Sequence, residues 1–197
     1  MTRFIGLTGG IGAGKSEALA AAERLGAATL STDRVAHDVL DHEDVRAALT
    51  ERWGEEVAPG GGVDRDRVAE IVFGRPEELA WLESQVHPRV GEAVLAWRSE
   101  LDPEVPVAVI EVPLLFEAAM EGAFDETLAV VASDETRERR LTERGQPGLS
   151  GREERQLDQA EKASRADHVI RNDGTLKDLE RSVGEVLRAA RAIEASN

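Results

Sequence analysis

The sequence predicts an α/β fold: a five-stranded parallel sheet with flanking helices, an inserted helical region and a lid. Three features of the 197-residue chain lead to this prediction. Apolar runs of strand length alternate with helical patterns in the first and last parts of the chain, which is typical of parallel strands joined by helices. The middle of the chain shows helical spacing alone. A glycine-rich loop follows directly after the first apolar run.

The chain begins with an alternation of strand and helix. Its pattern predicts a strand at 3–8, a helix at 15–25, a second strand at 27–30 and a second helix at 34–40. Gly26 is suited to end the first helix, because glycine adopts the left-handed conformation that commonly follows a helix. The two strands are expected to be parallel, since a helix connects them.

The region 41–101 predicts helices in place of strands. Val45 and Leu49 lie on one helix face, and apolar residues at helical spacing resume after the glycine-rich break at 59–62. Pro88 lies within this apolar stripe and predicts a kink. We interpret the region as a helical insertion over the edge of the sheet.

The last part of the chain returns to alternating strands and helices. Two nearly continuous apolar runs predict strands that are covered on both faces. The predicted elements are strands at 105–112 and 127–132, a helix from Ser133 through Arg144, a charged helix at 152–165 and a strand at 167–171. A final helix follows, with Thr175 and Asp178 in the pattern of a capping box.

Residues 9–16, GGIGAGKS, match the pattern G-x-x-x-x-G-K-S/T of a P-loop, so the predicted sheet is of the P-loop NTPase type. Backbone N–H groups along the loop are expected to cradle phosphate oxygens, and they belong to Gly9, Gly10, Ile11, Gly12, Ala13 and Gly14. Lys15 would place its charge on the β- and γ-phosphates, and Ser16 its hydroxyl on Mg²⁺. The alternative is a plain glycine-rich turn between strand and helix.

The composition limits the classes of partner. The net charge is −15, which repels nucleic acid and anionic membranes, so we expect neither as a partner. Cysteine is absent, which excludes disulfides and thiolate metal sites. Cleavage of a leader from the amino terminus would destroy the loop, so we expect a cytoplasmic protein. We also expect a monomer or a weak oligomer.

A lid is expected because an enzyme that moves a phosphoryl group must exclude water from it. Arginines are frequent in and beside the polar segment 141–165, which makes this segment the predicted lid. The alternative is a solvated helix, since glutamates are interleaved with the arginines. The predicted domains are a nucleotide-binding core (1–33, 102–140 and 166–197), a helical substrate-binding region (34–101) and the lid.

A carboxylate at the carboxyl edge of the sheet is the candidate general base. Ligands of open α/β sheets bind at this edge, and Asp33 follows the second predicted strand there. A kinase needs such a group to accept the proton of the acceptor hydroxyl. Capping of the following helix is the alternative role for Asp33. Glu111, at the end of the next strand, is expected to contact substrate, to order Mg²⁺ through water or to position a lid residue.

The histidines give weaker signals. His37 and His42 are five residues apart and do not share a helix face, so we expect no metal site there. His87 precedes Pro88 at the predicted kink, where contact with substrate and stabilisation of the kink are both open.

These residues together resemble the dephospho-CoA kinase family over essentially the whole chain. The P-loop alone is shared by many nucleotide enzymes, whereas the order and spacing of the later motifs are far more specific. The matching segments are IGLTGGIGAGKS, Ser31-Thr32-Asp33, Val63-Asp64-Arg65 with Val72-Phe73, His87-Pro88, Val112-Pro113-Leu114-Leu115-Phe116-Glu117, Gln156, Glu161-Lys162, Ala166-Asp167 and Val169-Ile170-Arg171-Asn172-Asp173-Gly174.

The resemblance implies an enzyme that phosphorylates the ribose 3′-hydroxyl of dephospho-CoA with ATP and Mg²⁺, the last step of coenzyme A synthesis. It implies that Asp33 is the catalytic base, that Arg140 joins Lys15 in engaging the ATP phosphates, and that Asn172 borders the adenine. Region 34–101 would then bind the coenzyme substrate, with Asp33, His87, Glu111 and Leu115 as its expected contacts.

The chain departs from the family pattern at two positions. The family usually has threonine after the P-loop serine, and here Glu17 follows Ser16. Its backbone N–H can still bind phosphate, but its carboxylate would weaken nucleotide binding if it turned toward the phosphates. Ser31 replaces the first acid of the family's Asp-x-Asp turn. Another P-loop nucleoside or nucleotide kinase is the nearest competing hypothesis, and Glu17 keeps open a second one, an inactive nucleotide-binding module.

Overall fold

The computed structural model describes residues 1–145 and 156–194. The chain divides into two compact units. The sheet unit comprises Met1–Ser31 and Leu101–Asn197, and the helical unit comprises Thr32–Glu100. The predicted functional domains stay predictions, because this division does not test what each unit binds. The predicted lid includes residues 146–155, which lie outside the described residues.

The sheet unit contains one five-stranded parallel sheet, as predicted. Its strands are β1 (Arg3–Gly9), β2 (Ala28–Ser31), β3 (Val107–Glu111), β4 (Glu126–Val131) and β5 (His168–Arg171), in the order β2-β3-β1-β4-β5. β3 begins two residues later than predicted, because Val105 N–H donates to Asp102 O at 2.9 Å and closes a turn. β1 lies in the centre of the sheet, so the loop that follows it leaves from the middle of the carboxyl edge.

The described residues form eight α-helices. They are α1 (Lys15–Arg24), α2 (Thr32–Leu40), α3 (Glu43–Trp53), α4 (Arg65–Val72), α5 (Pro76–Glu100), α6 (Asp134–Glu143), α7 (Gln159–Arg165) and α8 (Leu176–Glu194). Among residues 1–145 and 156–194, none of the helices combines the length and apolar character that crossing a bilayer requires.

The core of the sheet unit explains why the carboxyl edge of β1 is held in place. Every residue of β3 and β4 is buried, so both sheet faces are covered. α1 presents the small residues Ala18, Ala21 and Ala22 to this core, and the amphipathic α8 packs against it through its apolar face. Small side chains allow the helix that follows the loop to approach its neighbours closely.

Side-chain caps fix the starts of the later helices. Ser133 caps α6 by accepting from Thr136 N–H at 3.3 Å. The predicted capping box before α8 is confirmed, since Thr175 and Asp178 exchange hydrogen bonds between side chain and backbone. α7 begins at Gln159 with Asp158 as its cap. Residues 156–158, which were predicted to be helical, therefore precede the helix. Residues 152–155 lie outside the described part of the chain.

The helical unit has its own apolar core. Buried residues from α2, α3, α4, α5 and the short 3₁₀ helix Glu55–Val57 form one cluster: Val39, Leu40, Val45, Leu49, Val57, Val68 and Val86. Asp64 caps α4 by accepting from Arg67 N–H at 3.0 Å. α5 runs over 25 residues and includes Pro88 as an interior residue. The predicted helical character of region 41–101 is therefore confirmed.

Candidate active site

The P-loop sequence forms the turn between β1 and α1. Thr8, the residue before the loop, is fully buried and donates from Oγ1 to Pro113 O at 3.1 Å. Gly14 precedes the helix with a φ of 99°, a left-handed conformation that favours glycine. A side chain at Gly14 would also overlap the amide nitrogen of Asn172. The loop therefore needs glycine at this position for both backbone and packing reasons.

Lys15 folds back over the loop. Its Nζ donates to Gly9 O at 3.0 Å and to Gly10 O at 3.2 Å. The side chain is half-buried, so its ammonium lies against the loop backbone. This placement concentrates positive charge at the loop of a protein whose net charge is strongly negative.

Arg140 and Asn172 hold the second half of the loop from α6 and from the end of β5. Arg140 Nη1 donates to Gly12 O at 3.4 Å and to Ala13 O at 3.2 Å. Asn172, which is 4% exposed, donates from Nδ2 to Ala13 O at 2.8 Å. Arg140 Nη2 in turn donates to Asn172 O at 3.0 Å, which joins the two residues.

Arg137 is a loop contact that the sequence did not reveal. Its side chain is buried, and its Nε donates to Ile11 O at 2.8 Å. Arg137 lies one helical turn before Arg140, so the two arginines share one face of α6. The three-residue spacing of Arg137 and Arg140 is the only sequence feature that indicates this contact. It is not distinctive in a helix that contains many other arginines and glutamates.

The five consecutive carbonyls of residues 9–13 thus all accept hydrogen bonds from cationic or amide side chains. In a trans peptide the C=O and N–H groups point in opposite directions. The Gly12 N–H therefore points away from Arg137, while Ala13 N–H donates to Gly10 O at 3.2 Å. A glycine-rich loop that begins a helix and lies beside lysine and arginine fits the polyphosphate of a nucleotide.

A pocket of about 200 Å³ adjoins the loop at the start of α1. Its lining residues lie around the start of α1, around the end of α6, just after β5 and at the start of α8: Gly14, Glu17, Arg140, Glu143, Arg144, Asn172 and Leu176. Asn172 and Glu17 were predicted to lie at the nucleotide, whereas Glu143 and Leu176 were not. Leu176, the first residue of α8, is an apolar side chain that is 63% exposed.

Burial and neighbouring charges set the electrostatics beside this pocket. Burial, followed by repulsion from Arg139, lowers the pKa of Arg140 from its ordinary value. An arginine nevertheless stays protonated in a protein, so Arg140 keeps its charge. A hydrogen bond from the backbone N–H of Ser133, at 2.8 Å, lowers the pKa of Asp173. Asp173 is thereby held as a carboxylate two residues from β5 and close to the charge of Arg140.

Two further predicted residues lie on β3 and just after it. Glu111 ends β3, is 5% exposed, and is in register with Leu7 of β1 and Ser31 of β2. Leu115 is fully buried and packs against Gly6 of β1. The predicted contact of Leu115 with substrate therefore finds no support in the structure, because its side chain has no accessible surface.

Lys162 and Gln159 attach α7 to the sheet unit. Lys162 is fully buried, donates to Pro113 O at 2.7 Å and pairs with Glu117 at 3.0 Å. The Gln159 amide exchanges two hydrogen bonds with the backbone of Ala132, just after β4. The described end of the predicted lid, residues 156–165, thus includes side chains fixed on the core.

Asp33 and His87 belong to the helical unit. Asp33 is the second residue of α2 and follows the last residue of β2 by two positions. It lies inside the first turn and not at the capping position before it. Its side chain is exposed, and within the described residues no hydrogen bond or ion pair engages its carboxylate. His87 is exposed on α5.

Comparison with known proteins identifies the family of this chain. A family model described as dephospho-CoA kinase matches residues 3–178. A dephospho-CoA kinase of Thermus thermophilus is 39% identical over 189 residues, which cover 93% of this chain and 90% of the relative. The chain belongs to the dephospho-CoA kinase family. Family membership confirms the predicted resemblance and makes the chain a kinase that uses ATP.

Solved structures agree with the fold. The crystal structure of TT1252 from Thermus thermophilus superposes with a TM-score of 0.81 at 38% identity, over 95% of this chain and 97% of that one. Dephospho-CoA kinase from Campylobacter jejuni gives a TM-score of 0.67 at 24% identity, over 96% and 97% of the two chains. The second likeness is to the fold alone.

Replacing Glu17 with threonine is expected to tighten ATP binding by about threefold, because a carboxylate that lines the pocket beside the loop would repel phosphate bound there. Glu17→Gln removes the negative charge without adding a hydroxyl. We expect this variant to show most of the gain in ATP affinity that Glu17→Thr shows. Titration calorimetry with ATP at low and high salt measures both effects. Glu23→Gln, at an exposed position near the end of α1, is the matched control. Equal affinities for wild type and Glu17→Gln would show that the carboxylate does not reach the phosphates.

Proposed function

We propose that the protein transfers the γ-phosphoryl group of ATP to the ribose 3′-hydroxyl of dephospho-CoA, which gives coenzyme A and ADP. The observation that carries this proposal is the P-loop, whose backbone carbonyls accept hydrogen bonds from Lys15, Arg137, Arg140 and Asn172 in a chain of the dephospho-CoA kinase family. In the reaction the 3′-oxygen forms a bond to the γ-phosphorus, the bond from that phosphorus to the ADP oxygen breaks, and the hydroxyl proton leaves to a base.

The loop and its cations are proposed to bind the triphosphate. Backbone N–H groups along residues 9–17 donate to phosphate oxygens, and Lys15 and Arg140 balance their charge. Ser16, exposed at the start of α1, is the residue that would hold Mg²⁺. When bound, Mg²⁺ supplies charge that offsets the negative phosphates. These groups are in place before the reaction and stabilise the charge that develops in the transition state, so little reorganisation is needed.

Asp33 is proposed as the general base. Its carboxylate is exposed and uncommitted among the described residues, and the chain places it directly after a strand of the parallel sheet. A carboxylate that is free of partners can accept a hydrogen bond from the acceptor hydroxyl and take its proton. The exposed position in the first turn of α2 leaves the carboxylate accessible to a ligand.

The remaining assignments follow from the family and stay proposals. The helical region 34–101 binds dephospho-CoA, with His87 on α5 and Glu111 at the end of β3 as contacts. Residues 141–165 act as a lid that excludes water from the transferred group. We expect the enzyme to act in the cytoplasm as a monomer or weak oligomer.

A panel of acceptors tests this function. With ATP and Mg²⁺, we expect ADP production to depend on dephospho-CoA and to be much slower with nucleosides or nucleoside monophosphates. A nucleoside monophosphate that outperforms dephospho-CoA would assign the protein to another class of P-loop kinase. ATP binding without ADP production for any acceptor would identify an inactive nucleotide-binding module.

A further inference from the structure

Arg137 is a buried charged side chain that the proposed reaction does not use directly. Its side chain is 6% exposed, and it pairs with Asp134 one turn earlier, at 3.0 Å. A guanidinium loses hydration when it is buried, so burial requires partners that compensate. The Asp134 side chain is 80% exposed, so the pair could form equally well at the surface. The ion pair therefore does not explain why the guanidinium is buried.

The hydrogen bond to the P-loop does explain it. Arg137 Nε donates to Ile11 O at 2.8 Å, across 126 positions of the sequence. The backbone of α6 also approaches the loop closely, because a Cβ at Gly12 would lie 3.1 Å from Arg137 O and 3.3 Å from its Cβ. Arg137 is thus fitted to the peptide that joins Ile11 and Gly12 both by its side chain and by its backbone.

The orientation of that peptide matters for a bound anion. The C=O of Ile11 and the N–H of Gly12 belong to one planar trans unit and point in opposite directions. A guanidinium that holds the carbonyl on the side of α6 therefore directs the Gly12 N–H to the other side. Without Arg137 this peptide could rotate, since the φ of 76° at Gly12 lies in a region where glycine is permissive.

We infer that Arg137 is a positioning residue for nucleotide binding: by holding the Ile11 carbonyl outward, it keeps the Gly12 N–H directed toward the phosphates of ATP. The inference rests on the proposed function and deepens it. Arg137 touches no reacting atom and acts through the loop backbone. Its charge, buried beside the loop, also contributes to the attraction of the polyphosphate.

The test compares Arg137→Met, Arg137→Lys and Arg139→Met. Arg139 is exposed on the same helix and serves as the matched control. We expect Arg137→Met to raise the ATP Kd and the KM for ATP about tenfold, with the KM for dephospho-CoA unchanged. Arg137→Lys keeps the charge without the planar fork, so its ATP Kd should be intermediate. Arg139→Met should stay within about twofold of wild type.

A merely structural role would have a different signature. It would lower the Tm and the active fraction of Arg137→Met, while the ATP Kd of the folded protein stayed at the wild-type value, and this result would overturn the inference. If Arg137→Met does not fold, Arg137→Lys decides, because an unchanged ATP Kd in that variant also contradicts the positioning role. Titration of ATP needs no acceptor substrate. The experiment can therefore contradict the role of Arg137 without contradicting the proposed activity on dephospho-CoA. A wild type that does not bind ATP would contradict both.

Discussion

Replacing Asp33 with asparagine is expected to lower turnover by about 10²-fold or more and to leave ATP affinity nearly unchanged. Asparagine keeps the size and polarity of the side chain but cannot accept the proton of the 3′-hydroxyl. Because no hydrogen bond or ion pair among the described residues engages the Asp33 carboxylate, the fold should not depend on its charge. Steady-state kinetics with dephospho-CoA and calorimetry with ATP measure the two quantities.

Asp38→Asn is the matched control for this experiment, since Asp38 is an exposed acid on the same helix. Its turnover and its ATP affinity should equal those of wild type. A wild-type rate for Asp33→Asn would remove Asp33 from the role of base. An equal loss of rate in both variants would point to a general effect of charge on α2.

Replacing Lys15 with alanine is expected to damage ATP binding and turnover together, with kcat/KM for ATP falling on the order of 10²-fold or more. The ammonium binds the phosphates in the ground state and stabilises further charge in the transition state, so both KM and kcat should change. Its hydrogen bonds to Gly9 O and Gly10 O at 3.0 and 3.2 Å also shape the loop, and alanine removes them. Initial rates over a range of ATP concentrations, with calorimetry of ATP binding, resolve the two contributions.

Lys177→Ala is the matched control for Lys15→Ala. Lys177 is exposed near the start of α8, and its replacement removes the same charge from the protein. It should leave both parameters unchanged. Unaltered ATP affinity in Lys15→Ala would mean that the triphosphate is not bound at the loop.

The sheet was predictable because its strands carry their signal locally. β3 and β4 are buried on both faces and read as continuous apolar runs, and the loop after β1 fixes where α1 begins. Element boundaries were less predictable. The start of β3 depends on a turn hydrogen bond between Val105 and Asp102, for which the apolar run gives no sign.

The site was predictable where its chemistry is local and less so where distant segments meet. Lys15 and the glycines follow from one contiguous motif. Arg137 and Gln159 reach the carboxyl edge from helices far along the chain, and each looks like an ordinary surface residue of a polar helix. The fully buried Lys162 was placed in a lid for the same reason, since its partner Glu117 is distant in sequence.

Leu115 shows a different limit of the sequence. An apolar residue in a motif can face a ligand or the core, and the pattern of neighbouring residues is the same for both. The structure places Leu115 against β1 in the core of the sheet unit. Leu115 follows β3 in sequence, and its packing against Gly6 of β1 explains why the motif has an apolar residue there.

The most direct measurement is ³¹P NMR of the products formed from ATP, Mg²⁺ and dephospho-CoA. The P-loop with Lys15 and Arg140 as phosphate ligands, and Asp33 as base, predicts equal amounts of ADP and of a new phosphomonoester on the ribose 3′-oxygen. ADP and free inorganic phosphate without that ester would contradict it, as would a mixture in which ATP and dephospho-CoA both remain unchanged.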